Sequence, residues 1–370
     1  MDHIADLILN YDPENPQQRF KADAPELAAL SASDRLPVPP PWPNGKGPQP
    51  VPLDPAPSDT APLAGIAGWD RVDAVVVTWT AAEAAALAAM FTPDYLPSQW
   101  YEYRHGVEQY IPLVTGGDAP FNSTQADMSR FYHSLGLYFP CRINGKNVLL
   151  MKSGLHLDYD GPQVPVRKLI TELALTLEPS LFITTGTGGG INGTLNGAVS
   201  VTELGDVVVG TAAAFDCQQQ FKDASWLPAG PISTSPLSAQ AAALMTPALL
   251  SVNAAKVTGG RPVPKIWSDA NIVTTDFFAF SDSLNTYGLE GKGRACDMGD
   301  AMVGLALETA GASVPKMLWH AIRNASDPQI TVTNGDIAAA EKLAGDIYLK
   351  YGPFTTAASA IATWAIIASM

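Results

Sequence analysis

Cysteine is scarce in this chain: three in 370 residues, Cys141, Cys217 and Cys296, far apart and without a CxxC pair. An odd, dispersed set argues against a disulfide framework and for a reducing compartment. Charged residues make up only 16%, below the usual quarter, which excludes a disordered polyelectrolyte. Basic residues are the scarcer sign: 22 Lys and Arg stand against 36 Asp and Glu, a formal net charge of -14. So acidic a surface repels phosphate backbones, so no nucleic-acid partner is expected. No apolar run has membrane-spanning length. The best candidate, Thr355 to Met370, is uncharged but short and rich in small residues, and it reads as a buried terminal helix. Met1 to Asp6 lack the basic and apolar regions of a signal peptide, so a cytoplasmic protein is expected. The five histidines show no HExxH or other ligand spacing, so neither a metal nor a redox cofactor is expected.

What is present is enough apolar sequence, 46%, for a sizeable core. Residues 1–70 form a Pro-rich arm, with Pro37, Pro39, Pro40, Pro41 and Pro43 too dense for helix or central strand. From about residue 71 the texture changes. Val72 to Thr78 is a β-branched run suited to a strand buried on both faces, and Ala81 to Phe91 reads as an Ala-rich helix. Residues 94–145 form an aromatic, loop-rich insert. Leu181 to Thr185 reads as strand running into a glycine loop, and Lys316 to Ile322 as strand. Asp336 to Tyr351 reads as helix. Strands and helices alternating at these lengths imply an α/β sandwich around a mostly parallel sheet over residues 71–370.

Four places carry candidate chemistry. Gly188, Gly190 and Gly193 satisfy GxGxxG, but Thr194-Leu195-Asn196-Gly197 follow where a dinucleotide fold needs a helix. What remains is a glycine loop at the C-terminal end of a strand, where α/β sheets bind ligands, or else a tight turn. Asp327 follows a buried strand, where burial can raise its pKa enough for a general acid; an Asx turn before Pro328 is the plainer alternative. Glu83 opens the Ala-rich helix, as a site carboxylate or a solvated one favoured by the helix N-terminus. Asp297-Met298-Gly299-Asp300-Ala301 enters an apolar helix, offering one Asp as a cap and another for vicinal hydroxyls. No GxxxxGK[ST] and no GxSxG is present, so P-loop and Ser-hydrolase readings have no support.

Taken in order, these segments resemble the purine nucleoside phosphorylase / uridine phosphorylase superfamily, and within it the methylthioadenosine/S-adenosylhomocysteine nucleosidases. Ile183 to Ile191 resembles that family's strand and glycine loop, and Leu204-Gly205-Asp206-Val207-Val208-Val209 its following GD[IV]VV strand. Ile272 to Phe278 resembles its [ST]-G-D-x-F segment, and Arg323-Asn324-Ala325-Ser326-Asp327 its R-x-[IS]-S-D motif. The resemblance spans about residues 72–350. It implies a three-layer α/β/α sandwich around a mixed, mostly parallel sheet, and a homodimer or larger oligomer. It also implies hydrolysis of the N-glycosidic bond of a purine nucleoside. By matching position Asp327 is the acid at the base and Glu83 the general base for water. Phe278 is the stacking platform, and Thr187 and Gly188 lie near the nucleophile. The family's E-M-E-A appears as Asp297 to Ala301, which brings Met298 to the substrate. If Gly299 is inserted, Asp300 holds the sugar hydroxyls; if not, a glycine stands there and ribose recognition is lost. The family's phosphate-binding arginines have no match, which favours water over phosphate, with Lys152 and Arg167 as possible substitutes. Phosphorolysis, a non-catalytic nucleoside-binding role and a different reaction in a repurposed pocket on the same fold are the rival readings.

Overall fold

The computed structural model describes residues 32–114, 134–157, 160–195, 198–311 and 317–370, except 44, 59, 60, 64 and 67, together with residues 9 and 11–13. Much of the first half of the predicted arm and the middle of the aromatic insert therefore lie outside the described residues.

The strands that place the site, in chain order, begin with β1 Gln49–Pro50 and β2 Ala74–Thr78. After helix α1 Ala81–Phe91 come β3 Tyr101–Tyr103, β4 Gly136–Ile143 and β5 Lys146–Ser153. Helix α2 Pro165–Leu177 leads into β6 Leu181–Gly190, followed by the hairpin β7 Gly193–Leu195 and β8 Ala198–Ser200. Next are β9 Val207–Val209, β10 Ala212–Phe215, β11 Ile232–Ser233 and helices α3 Ala239–Leu244 and α4 Pro247–Ala254. The chain closes with β12 Ile266–Trp267, β13 Ile272–Thr274, β14 Ala295–Asp297, α5 Asp300–Gly311, β15 Leu318–Asp327 and α6 Ile337–Ala368.

The sheet is mixed. Its centre, β5–β2–β6–β15, is parallel. Antiparallel β4 flanks β5 on one side and β9 flanks β15 on the other. Beyond Thr184 the β2 side of β6 is taken over by β14, antiparallel at Gly189 and Gly190. Strand β2 shows why helices cover both faces. All five of its residues are buried, and alternate side chains point to opposite faces. Val75 and Val77 join the core packed by α2 and α5. Ala74 and Val76 join the core packed by α1, α4 and α6.

Two elements run longer than the sequence pattern indicates. The tail helix and the Asp336–Tyr351 helix are one 32-residue helix, α6, that carries Pro353 inside it. Its C-terminal half is buried almost throughout, so packing outweighs the missing proline N–H. Among the described residues no helix is long and apolar enough to cross a membrane. The expected glycine loop is instead the second half of β6, buried along its whole length.

The described part of residues 1–70 lies against the domain. Asn253 Nδ2 donates to the Val38 carbonyl (2.8 Å) and its Oδ1 accepts from Val38 N–H (2.9 Å). Trp42 packs on Trp364, centroids 4.8 Å apart, and the Trp364 indole N–H donates to the Lys46 carbonyl (2.6 Å). The insert's aromatic residues build the sheet edge, with Tyr101 of β3 stacked on Phe139 of β4 at 5.5 Å.

Candidate active site

A pocket lies at the C-terminal ends of β2, β6 and β15. Glu83, Thr187, Gly188, Phe278, Met298 and Asp327 all line it. Asp300, the remaining candidate, does not. The wall also contains residues the sequence reading did not single out for the site: Trp79, His156, Cys296, Arg323, Ser326 and Tyr348.

The floor is β6, and its glycines are there for close approach. A Cβ on Gly186 would stand 2.2 Å from Glu83 Oε1. On Gly188 it would meet the Cys296 carbonyl at 2.6 Å, and on Gly189 the Cys296 sulfur at 2.8 Å and Asp327 Oδ2 at 3.1 Å. Glu83 thus marks one end of the floor and Asp327 the other. At ~3.3 Å rise per strand residue, Gly186 and Gly189 are about 10 Å apart, which leaves a nucleoside-sized interval between the two carboxyls.

Glu83 is held by the start of its helix. Thr80 caps α1, accepting from Glu83 N–H, while Glu83 Oε2 accepts from Thr80 N–H (2.9 Å) in a capping box. Oε2 also accepts from the Thr78 hydroxyl (2.6 Å) and Trp79 N–H (2.9 Å). Oε1 accepts from Thr187 N–H (2.6 Å) and the Thr187 hydroxyl (2.7 Å), and Arg323 Nη1 stands 3.8 Å away. Five donors fill a carboxylate's roughly four lone-pair sites. Burial alone pushes the Glu83 carboxyl up. The Arg323 guanidinium and the hydrogen bonds from Thr78, Thr80 and Thr187 outweigh it and hold the pKa below the ordinary range. Glu83 is therefore a fixed anion with no lone pair directed at water, a poor fit to the general-base role the resemblance implies.

Asp327 is the reverse. It ends β15, opposite Gly189, after a bulge that leaves Ser326 unpaired in the ladder. Oδ1 accepts from the Ser326 hydroxyl (3.0 Å), while Oδ2 is buried without a partner. Burial pushes its pKa up to about 7, against a smaller lowering by Ser326. Near neutral pH the carboxyl holds a proton for much of the time.

Between them sits Arg323, 3% exposed and held by acids. Nε and Nη2 donate to the two oxygens of Asp300 (2.8 and 2.6 Å), and Nη2 lies 3.0 Å from Asp297 Oδ2. Nη1 donates to the Thr187 carbonyl (3.2 Å). Asp300 is fully buried, and its fork-to-fork pairing leaves it facing the guanidinium instead of the pocket. This geometry offers nothing to a sugar, so the expectation that Asp300 holds the hydroxyls has no support. Asp297 caps the start of α5 instead, accepting at Oδ2 from Gly299 N–H (3.0 Å) and Asp300 N–H (2.7 Å) and at Oδ1 from the Thr274 hydroxyl (2.7 Å). Burial, and then the charge of Asp300, push the Asp297 pKa up, while these donors and Arg323 favour its anion. Gly299 itself stands in the wall, its position closed by the Trp79 ring.

His156 adds no positive charge, because burial lowers its pKa to about 3. Neither Lys152 nor Arg167 lines the pocket; Arg167 Nη2 donates to the Thr309 hydroxyl (3.2 Å). Among the described residues no three His, Cys, Asp or Glu side chains group to hold a metal ion. The missed Trp79 carried one usable signal, its position immediately after a central parallel strand.

No protein-family model and no curated protein matches the chain. Comparison with solved structures finds distant similarities. One is the 5′-methylthioadenosine/S-adenosylhomocysteine nucleosidase of Neisseria meningitidis in complex with methylthio-immucillin-A. It is 15% identical at a TM-score of 0.43, over 80% of this chain and 98% of that one. A futalosine hydrolase mutant of Helicobacter pylori is 13% identical at a TM-score of 0.45, over 81% of this chain and 100% of that one. A putative nucleosidase of the first kind from Francisella philomiragia is 14% identical at a TM-score of 0.43, over 78% and 95%.

Proposed function

We propose that this protein hydrolyses the N-glycosidic bond of a purine nucleoside. The observation that carries the reading is the pairing of a proton-holding Asp327, with its free Oδ2, and a locked Glu83 anion at opposite ends of one glycine-paved floor. Glycosidic cleavage passes through an oxocarbenium-like state, which needs a proton on the leaving base and negative charge near C1′. Asp327 supplies the proton, with the base lying against Phe278. Glu83 supplies the charge, and because it is pre-oriented it needs no rearrangement as the cation forms. Water beside the Thr187 hydroxyl, which donates to Glu83, adds to C1′ as the bond to the protonated base breaks; its proton leaves to solvent, from which Asp327 is reprotonated.

Water is favoured over phosphate by the charge balance. The only cation in the pocket wall among the described residues is Arg323, which already serves Asp300 and Asp297. A phosphate dianion there would face Glu83 with no uncommitted partner.

The test is base release from a purine nucleoside panel, followed by chromatography with and without phosphate, beside the Asp327→Asn variant. Phosphate-independent release that falls 10²- to 10⁴-fold in the variant is the expected result. Release that requires phosphate, or that survives the substitution, overturns the reading.

A further inference from the structure

Tyr348 lines the pocket, and the proposed chemistry gives it no part. It lies in the N-terminal half of α6 and is 1% exposed. A buried tyrosine hydroxyl needs a hydrogen-bond partner, and any acceptor would satisfy that need. Here the partners are two threonines that hold Glu83. The Tyr348 hydroxyl donates to Thr80 Oγ1 (2.9 Å), and the Thr187 side chain is a second hydrogen-bond partner.

Each threonine grips a different oxygen of Glu83. Thr80 N–H donates to Oε2 (2.9 Å), while Thr80 Oγ1 accepts from Glu83 N–H (3.1 Å). Thr187 donates to Oε1 with its N–H (2.6 Å) and its hydroxyl (2.7 Å). Thr80 stands at the start of α1 and Thr187 on β6, so two separate elements supply these donors. The Tyr348 oxygen joins them from a third. Its ring belongs to an apolar cluster with Ala82, Phe278, Phe280 and Ala344, so the ring has its own support apart from the hydroxyl. The other ionisable groups facing Glu83 are Arg323 of β15 and His156 after β5, which burial keeps uncharged and which has Lys152 nearby. Asp297 and Asp300 lie behind Arg323.

We infer that Tyr348 is a positioning residue: by tying Thr80 to Thr187 it keeps the donors of Glu83 in register and so holds that carboxylate ionised and in place. The effect on Glu83 follows from the contacts alone, and the effect on turnover rests on the nucleosidase reading. Without the tie the donors loosen, and burial of the carboxylate is opposed less strongly. Glu83 then takes up a proton at a higher pH, and in that form it no longer stabilises the oxocarbenium-like state.

A carboxyl titration separates the two claims. Glutamate carboxyl carbons are labelled in full-length wild type and in Tyr348→Phe, which keeps the ring and removes only the oxygen. The Glu83 signal, assigned by its absence from Glu83→Asp, is followed by NMR from pH 7 to pH 4. Base release from adenosine and 5′-methylthioadenosine is measured over the same range. In Tyr348→Phe the Glu83 midpoint is expected to rise by about 1 pH unit, the equivalent of roughly one lost hydrogen bond. Turnover is expected to fall about tenfold with KM within twofold of wild type, and kcat/KM gains an acid limb where Glu83 titrates. An unmoved Glu83 midpoint, a loss of activity uniform across pH, or a raised KM with kcat unchanged overturns the inference, the last by making the hydroxyl a substrate contact. A raised midpoint in the variant with no base release by wild type overturns the hydrolase reading alone.

Discussion

The two ends of the pocket treat a carboxyl in opposite ways. Both carboxyls are buried, yet Glu83 has five donors and a guanidinium nearby, and Asp327 has one hydroxyl and an empty oxygen. Desolvation is the largest single influence on each. The number of partners decides which form survives it: charge at Glu83, the proton at Asp327. Burial alone therefore says little about a catalytic carboxyl until its lone pairs have been counted.

The largest way to break the contrast is to neutralise both ends and compare stability. Glu83→Gln replaces an acceptor of five hydrogen bonds with a group that is half donor, and leaves Arg323 with less compensating charge. Loss of about 3–5 kcal/mol is expected, read from urea midpoints. Asp327→Asn is expected to do the opposite at alkaline pH. The folded pKa of Asp327, about 7, lies above its ordinary 3.8, so the native state holds a proton that the unfolded state has released between those values. Wild-type stability falls over that window as pH rises, and the asparagine variant escapes the fall. Its relative gain grows from pH 4 to pH 7 and levels at up to about 4 kcal/mol. A pH-independent difference would show that Asp327 is not the protonated end.

The same asymmetry sharpens into a rate profile. If Asp327 delivers its proton, kcat/KM declines about tenfold per pH unit above about 7. Glu83, held below the ordinary carboxylate range, adds no acid limb near pH 4–5. A bell with both limbs in the neutral range, measured in buffers of constant ionic strength, would return Glu83 to the role of a titrating base.

How much of this was legible in sequence follows the same division. Strand β2 announced itself because burial on both faces demands an unbroken apolar run, and Glu83 and Asp327 stood out as carboxyls at the ends of such runs. The glycines were legible as unusual, but their purpose was not. Four in a segment suggest a turn, whereas here they let Glu83, Cys296 and Asp327 crowd a flat strand. That depends on neighbours more than 80 residues away. For Asp300, spacing shows that a carboxylate is near, not which cation it faces. In sequence Arg323 is one member of a motif; in the structure it is the hub that occupies Asp297 and Asp300. Trp79 and Gly299 stand 220 positions apart, and no local pattern couples a large side chain to a missing one.

The smallest perturbation tests the contrast most finely. Among the described residues Ser326 is the only side chain donating to Asp327, and its hydroxyl (3.0 Å) favours the ionised carboxyl. The same hydroxyl also donates to the Gly188 carbonyl (3.2 Å), so the two acceptors share one proton. Ser326→Ala removes that donor without touching Glu83 or opening the floor. The pKa of Asp327 should then rise further, because desolvation is left unopposed. The alkaline limb of kcat/KM moves to higher pH, activity at pH 8 rises severalfold relative to activity at pH 6, and stability changes by no more than about 1 kcal/mol. An unmoved limb would mean that the group titrating near pH 7 is not Asp327, leaving Asp297, the other acid pushed upward in this pocket, as the one to replace next.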